Sequence, residues 1–268
     1  MPEGDSVHRA ARMLDAALTG HVLTKTDFRV PQVATVDLAG RPVDSVCARG
    51  KHLLIRIGTD PAQLLTMHTH LMMDGRWEVY APGERWRVAG HKVRCVLTNS
   101  TFEAIGVDLG FLRLFPSRLE PQAVGHLGPD PLGRDWDPDE VRDRMLKEPE
   151  RAVGLALLDQ RNMAGVGNIY RSEALFVCRV HPLTPVGEVP DLPRLIERCF
   201  LMLHANRDRE RRKTTPAELR EPYWVYQRAG RPCFRCGTAL DLLRIGPVKL
   251  QQDRDAYVCR TCQPDPAA

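Results

Sequence analysis

The spacing of apolar residues predicts a helix at the start of the chain. Within residues 2–19 the apolar side chains recur every three or four positions, at Val7, Ala10, Ala11, Leu14, Ala17 and Leu18. This is the period of a helix with one buried face, and a glycine directly after it is a typical helix end. The sequence therefore predicts an amphipathic helix that ends near Gly20.

From His21 to about Leu119 the pattern changes to short β-branched and aliphatic runs, separated by glycine, proline and aspartate. Such runs are typical of strands in a sandwich or a barrel. We predict strands at residues 43–46, 52–57, 63–67, 77–80, 91–97 and 101–105.

The second half of the chain has a different organisation. Residues 127–138 are rich in glycine, proline and aspartate, which predicts a linker. Helical periods follow at 138–147, 151–162, 168–178 and 191–206, and the chain ends in a cysteine-bearing segment. We therefore expect a helix with a β-domain, a hinge, and a helical domain ending in a metal module.

Composition places the chain among ordinary globular proteins. It has 268 residues, of which 43% are hydrophobic and 27% charged. No run approaches the ~18 apolar residues of a membrane helix, and the N-terminus lacks the apolar core of a secretory signal. We expect a cytoplasmic protein without a membrane partner. The net charge of +4 is compatible with nucleic acid without requiring it.

The spacing of four of the eight cysteines predicts a zinc site. Cys233 and Cys236 form one C-x-x-C pair, and Cys259 and Cys262 form a second pair 22 residues further on. Two such pairs are typical of a structural zinc held by four thiolates, with no open coordination position. The single cysteines at 47, 95, 178 and 199 are interpreted as small buried apolar residues.

The segment between the two cysteine pairs resembles a hairpin. We predict strands at 240–245, 247–251 and 256–258, with a turn at Asp253-Arg254. An arginine at the tip of a metal-held hairpin is well placed to contact a phosphate. The alternative interpretation is a solvated turn charge.

The first residues carry candidate chemistry. Removal of Met1 would leave Pro2 as a secondary amine, and α-amino groups titrate well below lysine. Such an amine can attack a sugar C1′ or an aldehyde and form an iminium ion, while Glu3 handles the protons. The alternative is that Pro2 and Glu3 only begin a helix.

Residues 157–176 form the most distinctive interior motif. We expect a helix to end near Asn162, a tight turn at Gly165 and Gly167, and a new helix capped by Asn168. The start of a helix after such a turn is a typical anion site. The alternative is an ordinary helical hairpin without a ligand.

Taken together, these motifs resemble one known family. Four occur in order: Met1-Pro2-Glu3-Gly4, Arg49-Gly50-Lys51-His52-Leu53, the turn from Gln160 through Gly167-Asn168 to Glu173, and the cysteine pairs ending at Gln263. The chain is similar, over residues 2–263, to the formamidopyrimidine-DNA glycosylase/endonuclease VIII family of base-excision repair. The resemblance implies an α+β fold: an N-terminal helix on a β-sandwich, a helical helix–two-turn–helix domain with a C-terminal four-cysteine zinc finger, and DNA in the cleft between the two domains. We place the domains at 1–125, 126–226 and 227–268.

The resemblance also implies a role for each matching residue. Pro2 would be the nucleophile at C1′ of a flipped nucleotide, and Glu3 the acid and base. Lys51 and Arg254 would complete the catalytic set by holding phosphates, and Asn168 would be a further phosphate contact. β- and δ-elimination would then cut the strand of the damaged DNA. Damaged DNA is the expected partner of this protein. We expect a monomer with one structural zinc and no organic cofactor.

Two departures indicate the endonuclease VIII branch, which favours oxidised pyrimidines. Residues 108–114 lack the Arg-Arg-Phe element of the purine-directed members, and 212–226 leaves too little chain for their lesion-covering loop. Leu71, Met72 or Met73 would instead fill the gap left by the flipped base, although at least one of them is expected in the core. The alternatives are a purine-directed glycosylase, a non-catalytic zinc-finger DNA-binding protein and an RNA-modifying enzyme.

The sequence does not assign a role to three smaller features. The basic run at 207–213 is interpreted as a solvated helix end, with a supporting phosphate contact as the alternative. Gln227 stands where the family usually has glycine. His68 and His70 share a strand face, which is weak support for a second metal.

Overall fold

The computed structural model describes residues 2–246 and 254–266, and the chain divides into two compact units at His126/Leu127. The first unit contains, in chain order, α1 (Gly4–Leu18), β1 (Lys25–Phe28), β2 (Val43–Arg49), β3 (His52–Ile57), β4 (Leu65–His70), β5 (Arg76–Tyr80), β6 (Val93–Thr98), β7 (Glu103–Val107), β8 (Phe111–Pro116) and α2 (Glu120–Val124). Short 3-10 turns lie at Pro31–Val33, Gly90–Lys92 and Ser117–Leu119.

The eight strands form two antiparallel sheets. One sheet has the order β1-β6-β7-β5 and the other β2-β3-β4-β8. Their facing side chains build one core, in which Phe28, Leu97 and Trp77 of the first sheet are buried with Leu53, Ile55 and Met67 of the second. The predicted helix joins this core as α1, whose buried residues Val7, Ala11, Leu14 and Leu18 follow the helical period.

The second unit contains α3 (Pro138–Met145), α4 (Val153–Ala156), α5 (Asn168–Cys178), α6 (Leu192–Asn206) and the antiparallel pair β9 (Asp241–Ile245) and β10 (Arg254–Val258), with a 3-10 turn at Val186–Glu188. Side chains of α3 to α6 form a core separate from that of the sandwich. The prediction of a helix to Asn162 is wrong, since α4 ends at Ala156. Asp159 and Asn162 bond local backbone groups instead, through Arg161 N–H to Asp159 Oδ1 at 3.0 Å and Asn162 Nδ2 to the Ala156 carbonyl at 3.0 Å.

The prediction of a linker at 127–138 is also wrong for its first half. Residues 127–131 are buried within the second unit. The N–H of Gly128 donates to the Gln160 carbonyl at 2.8 Å, and the carbonyl of Pro129 accepts from Ala164 N–H at 3.1 Å. Glycine and proline here serve close packing: a Cβ at Gly128 would lie 2.5 Å from the Arg161 carbonyl oxygen. In the described part of the chain, no helix has the length and apolarity needed to cross a membrane.

Candidate functional site

The start of α1 holds Pro2 and Glu3. Glu3 is fully buried and is the residue before the first helical turn, with its carbonyl accepting from the N–H groups of Ser6 at 3.0 Å and Val7 at 3.1 Å. Pro2 is half-buried directly before it. Both residues thus lie at the end of α1 that carries the positive end of the helix dipole. Met1 lies outside the described residues.

Lys51 lies in the two-residue turn between β2 and β3. The strands pair up to Arg49 opposite His52, and Gly50 has a φ of 57°, a value that suits glycine in a tight hairpin. Helix α1 packs against both of these strands. Lys51 and α1 therefore belong to the same packed part of the first unit.

Histidines cover the outer face of β3 and β4 beside Lys51. His52 Nδ1 and His68 Nε2 share a hydrogen bond at 2.8 Å, and the ring of His70 lies 5.1 Å from that of His52. Burial, with the repulsion that neighbouring imidazoles exert once they are protonated, lowers the pKa of His52 to about 3. Burial with the Arg113 charge lowers the pKa of His68 to about 4. These rings are uncharged at neutral pH. Among the described residues, only the cysteines form a group of three or more metal-binding side chains.

The three candidates for filling the gap differ in exposure. Leu71 is 3% exposed and belongs to the sandwich core, so it does not face solvent, whereas Met72 is 50% and Met73 62% exposed. The N–H of Met72 donates to His70 Nδ1 at 2.9 Å, and Met72 has a φ of 52°. A Cβ at Gly110 would lie 2.0 Å from Met72 Cγ, so this glycine lets Met72 pack on the β7–β8 turn. Met73 is then the most exposed of the three side chains.

The turn before α5 is built by the side chain of Gln160. Its Nε2 donates to the carbonyls of Leu158 and Val166, both at 2.9 Å, and its Oε1 accepts from Gly165 N–H at 3.0 Å. Gly165 has a φ of 87°, as the tight turn requires. The predicted capping role of Asn168 is wrong: Gly167 occupies the cap, and Asn168 is the first helical residue.

Arg171, to which the sequence assigned no role, connects two predicted phosphate contacts. Its guanidinium is fully buried, and Nη2 donates both to Asn168 Oδ1 and to the backbone carbonyl of Asp255. The Asn168 side chain and the strand that carries Arg254 are thus held by one cation. With its Oδ1 bonded to Arg171, Asn168 presents the amide nitrogen as its remaining side-chain donor.

Arg254 lies at the start of β10, where it pairs with Ile245. The sequence predicted a turn at Asp253-Arg254, but Arg254 lies in a strand. The predicted strand at 247–251, like Asp253, lies outside the described residues. Arg254 is exposed at the end of the hairpin that faces away from the cysteines.

The four predicted zinc ligands come together. The sulfur atoms of Cys233, Cys236, Cys259 and Cys262 lie within 4.8 Å of one another, with Cys236 and Cys259 at 3.4 Å and Cys233 and Cys262 at 4.0 Å. Tetrahedral Zn–S bonds of about 2.3 Å place sulfur atoms roughly 3.8 Å apart. The cluster fits a metal ion of this kind and leaves no ligand position open.

Glu173 also acquires a position that the sequence did not reveal. Its buried carboxylate accepts from the N–H groups of Trp224 at 2.7 Å and of Val225 and Tyr226 at 2.9 Å, and from the Thr214 hydroxyl. One side chain of α5 thereby holds both ends of segment 214–226. Charged residues at 171 and 173 on an otherwise apolar helix are the signal by which both could have been found.

Gln227 has a φ of 57°, which explains why glycine suits this position. The next residue, Arg228, is buried and donates to the carbonyls of Trp224 and Pro232. Gln227, whose backbone is strained, thus directly precedes the well-anchored Arg228.

Two family models cover most of the chain. The formamidopyrimidine-DNA glycosylase N-terminal domain matches residues 1–109, and the formamidopyrimidine-DNA glycosylase H2TH domain matches residues 127–191. The chain belongs to the formamidopyrimidine-DNA glycosylase family. The predicted family and the predicted enzyme class, DNA glycosylase and AP lyase, are thereby confirmed.

Individual relatives within this family extend over the whole chain. A probable endonuclease 8 2 of Streptomyces coelicolor is 49% identical, covering 100% of this chain and 95% of its own. The DNA-(apurinic or apyrimidinic site) lyase Nei2 of Mycolicibacterium smegmatis is 45% identical, covering 98% of this chain and 99% of its own. A formamidopyrimidine-DNA glycosylase of Heliobacterium modesticaldum is 31% identical over 98% of this chain.

A solved structure matches the fold. Lactococcus lactis Fpg in complex with DNA containing an abasic site superposes with a TM-score of 0.81 at 20% identity, covering 98% of this chain and 100% of that one. The predicted fold class, with its helix, sheets, helical domain and cysteine cluster, is confirmed.

Proposed function

We propose that this glycosylase removes oxidised pyrimidines from DNA and cuts the strand, with Pro2 as the nucleophile. The observation that carries the proposal is the position of Pro2, directly before a buried Glu3 at the positive end of α1. An N-terminal amine at this place keeps a larger neutral fraction than a lysine does. A protein that only binds DNA does not need this arrangement.

The proposed reaction begins when the damaged base is extruded from the duplex. The Pro2 nitrogen bonds to C1′, the base departs with a proton, and opening of the sugar ring leaves an iminium ion between Pro2 and C1′. Glu3 transfers the protons. β-Elimination and δ-elimination then release the phosphates in turn, and hydrolysis of the iminium frees Pro2. The first step requires that Met1 has been removed, because only then is the Pro2 nitrogen an amine.

The remaining site residues hold the DNA in place. Lys51, Asn168 and Arg254 contact phosphates around the flipped nucleotide, and Met73, supported by Met72, fills the gap in the duplex. The place of Leu71 in the core supports the two methionines over Leu71 in this role. The four cysteines would hold one Zn²⁺, which would keep the hairpin folded and take no part in the chemistry. We expect the enzyme to act as a monomer.

Two features of the structure support oxidised pyrimidines as substrates. Only Asp108, Leu109 and Gly110 connect β7 to β8, which leaves no room for an Arg-Arg-Phe element. Segment 214–226 is bonded to Glu173 at both ends, which does not suit a loop that closes over a purine. The relatives at 42–49% identity named as endonuclease 8 or Nei2 favour the same branch.

Borohydride trapping tests the nucleophile. The protein should become covalently linked to DNA containing an abasic site or thymine glycol, and mass spectrometry should place the link on Pro2. Undiminished trapping of Pro2→Gly through a lysine would overturn the assignment. An absence of all trapping and cleavage, with binding intact, would identify a non-catalytic DNA-binding protein.

Single-turnover rates test the substrate class. Thymine glycol should be excised faster than 8-oxoguanine opposite cytosine when both duplexes are compared at saturating enzyme. A clear preference for 8-oxoguanine would place the enzyme in the purine-directed branch.

A further inference from the structure

The four cysteines and the β9–β10 hairpin form a module that is attached near both ends of α5. Arg171, near the start of α5, donates to the backbone carbonyl of Asp255 in β10. At the other end, the Nε2 atom of Gln263 donates to the Val180 carbonyl at 2.7 Å, two residues beyond the last helical residue. Strand β10 packs against α5. The strand is therefore held at two points along the helix.

Gln263 uses both polar atoms of its amide for this attachment. The side chain is fully buried, and its Oε1 accepts from the Cys259 N–H at 3.1 Å while its Nε2 bonds Val180. Cys259 directly follows β10 and belongs to the cysteine cluster. One side chain thus connects the end of the strand to the end of the helix.

Arg235 adds a second contact at the same end of α5. Its Nη1 donates to the carbonyl of Phe176 at 3.2 Å, and its guanidinium lies over the Phe176 ring, 4.5 Å from the centroid. Phe176 is fully buried in one small core with Cys233 and Cys259. The cysteine cluster therefore meets the C-terminal end of α5, while Arg254 lies at the other end of the hairpin.

The distances along the strand and along the helix are similar. From Asp255 to Cys259 a strand advances about 13 Å, at roughly 3.3 Å per residue. From Arg171 to Cys178 the helix advances about 11 Å, at roughly 1.5 Å per residue, and Val180 lies two residues beyond. The two attachments therefore suit a strand that lies alongside the helix, and together they set its lengthwise position. Without the bonds at the C-terminal end of α5, the strand is free to pivot about the bond to Arg171.

This lengthwise position matters for the two predicted phosphate contacts in this unit. Asn168 begins α5, and Arg254 begins β10. A displacement by one strand residue is about 3.3 Å, which is enough to break a hydrogen bond between a guanidinium and a phosphate oxygen. Two contacts on one DNA backbone therefore depend on how the module is held against the helix.

We propose that Gln263, supported by Arg235, is a positioning residue for DNA binding: it fixes β10 along α5 and thereby the distance between Arg254 and Asn168. The inference rests on the proposed function, because it needs Arg254 and Asn168 on phosphates of one bound DNA. Gln263 itself contacts neither the DNA nor the metal in this proposal.

A double-mutant cycle tests this role. Glu3→Gln prevents turnover, and the dissociation constant for a thymine-glycol duplex is measured between about 50 and 300 mM salt. Gln263→Met removes both hydrogen bonds and should weaken binding nearly as much as Arg254→Ala does, about tenfold at low salt, with a slope of log K against log salt lower by about 0.9. Arg254→Ala in the Gln263→Met background should then weaken binding less than about twofold further.

Thr261→Val is the matched control within the module. The Thr261 hydroxyl shares a hydrogen bond of 2.9 Å with the Thr238 hydroxyl, so the substitution removes a bond of the module and none to α5. Its affinity should stay within about twofold of the parent. A Gln263→Met protein that keeps its metal and binds like the parent would overturn the inference. An equal loss in Thr261→Val would do so too, because any loosening of the module would then suffice.

Arg235→Met covers the case in which Gln263→Met loses its metal, so metal content and the thermal midpoint are measured for each variant. Arg235→Met removes the bond to Phe176 and leaves residue 263 in place. The effect of Arg254→Ala should fall from about tenfold to about threefold in this background. An undiminished effect in metal-loaded Arg235→Met would contradict the inference.

Two further outcomes separate this inference from the proposed function. If Arg254→Ala leaves binding by the parent unchanged, the inference is wrong, although removal of oxidised pyrimidines still stands. If the parent neither binds nor cuts damaged DNA, the proposed function itself fails.

Discussion

The two units hold their functional residues in different ways. In the first unit the local backbone structure holds them: Pro2 and Glu3 directly precede helix α1, and Lys51 lies in a two-residue hairpin turn. In the second unit polar side chains hold them, since the half-buried Gln160 shapes the turn before α5 and the buried Arg171 connects Asn168 to the strand of Arg254.

This difference decides which residues a sequence reveals. A residue that reacts or binds at a helix start or a hairpin turn has a local signature, because its neighbours in the chain create its geometry. A residue such as Arg171 acts between segments 84 positions apart, and nothing local to it announces that role. Substitutions should therefore affect chemistry in the first unit and the grip on DNA in the second.

Glu3→Gln should have the largest effect and should be confined to chemistry. Loss of an acid–base group lowers the rate by about 10²–10⁴-fold. Excision of thymine glycol should fall more than cleavage of a preformed abasic site, from which the base is already gone. Single-turnover rates on the two duplexes measure this, and equal losses would remove Glu3 from base excision.

Cys259→Ser should release the metal and weaken DNA binding while leaving the first unit folded. Structural zinc contributes about 10–16 kcal/mol to the folding of modules of this kind. Arg254 lies on the hairpin whose other end carries the cysteine cluster, so it depends on that fold.

Arg254→Ala should weaken binding and lower the salt slope by about one phosphate contact, with metal content unchanged. Metal analysis and a salt titration of both variants make the comparison. If Arg254→Ala binds like the parent, another cation contacts the phosphate, and Arg244 and Lys249, which also lie between the two cysteine pairs in the sequence, are the candidates.

Arg171→Met should lower DNA affinity and remove the contribution of Asn168. The substitution leaves the Asn168 Oδ1 and the Asp255 carbonyl without this donor, at a cost of about 1–3 kcal/mol for each acceptor that stays unbonded. In a double-mutant cycle, Asn168→Ala should have little further effect on binding once Arg171 is replaced. Additive effects of the two substitutions would show that Arg171 does not orient Asn168.

Acid should weaken the first unit through its histidines. His52 and His68 have pKa values of about 3 and about 4 in the folded protein, below the ordinary value near 6.5. Their contribution to stability is present above pH 6.5 and is lost as the pH falls through the folded values, because the unfolded chain binds protons first. Urea unfolding between about pH 7.5 and 4.5 should show a flatter pH dependence for His68→Gln than for the parent. Parallel curves would assign the acid sensitivity to other groups.

Gln227→Gly should produce the smallest effect, a gain in stability. A non-glycine residue at a φ of 57° is strained, and relief of that strain outweighs the added chain entropy by about 0.5–1 kcal/mol. The thermal midpoint should rise by about 2–4 °C. Ala229→Gly, two residues further on and without a positive φ, is the control and should lower the midpoint.

The sequence predicted elements best where one face is buried and the period is regular. Helix α1, strand β3 and helix α5 lie where the apolar spacing placed them. Strands β1 and β8 were not among the strands named from the sequence: only Phe28 of the four residues of β1 is buried, and Phe111–Pro116 contains Arg113 and has no regular alternation of buried and exposed positions. The first half of segment 127–138 resembled a linker because the glycine that packs it is also a common loop residue.

Candidate site residues followed the same division. The four clustered cysteines were identifiable as metal ligands from spacing alone, and the structure brings their sulfur atoms together. The exposure that separates Leu71 from Met73 depends on how β4 meets the β7–β8 turn, which no local pattern specifies.

With Pro2 as the proposed nucleophile, removal of Met1 becomes a step in the maturation of the enzyme. A chain that still carries Met1, or any affinity tag joined ahead of Pro2, has an amide where the proposed nucleophile needs an amine, even when every side chain is folded correctly. Newly translated molecules would thus be inert towards C1′ until an aminopeptidase trims them. A recombinant preparation would have to carry its tag at the C-terminal end, and its active fraction would equal its trimmed fraction.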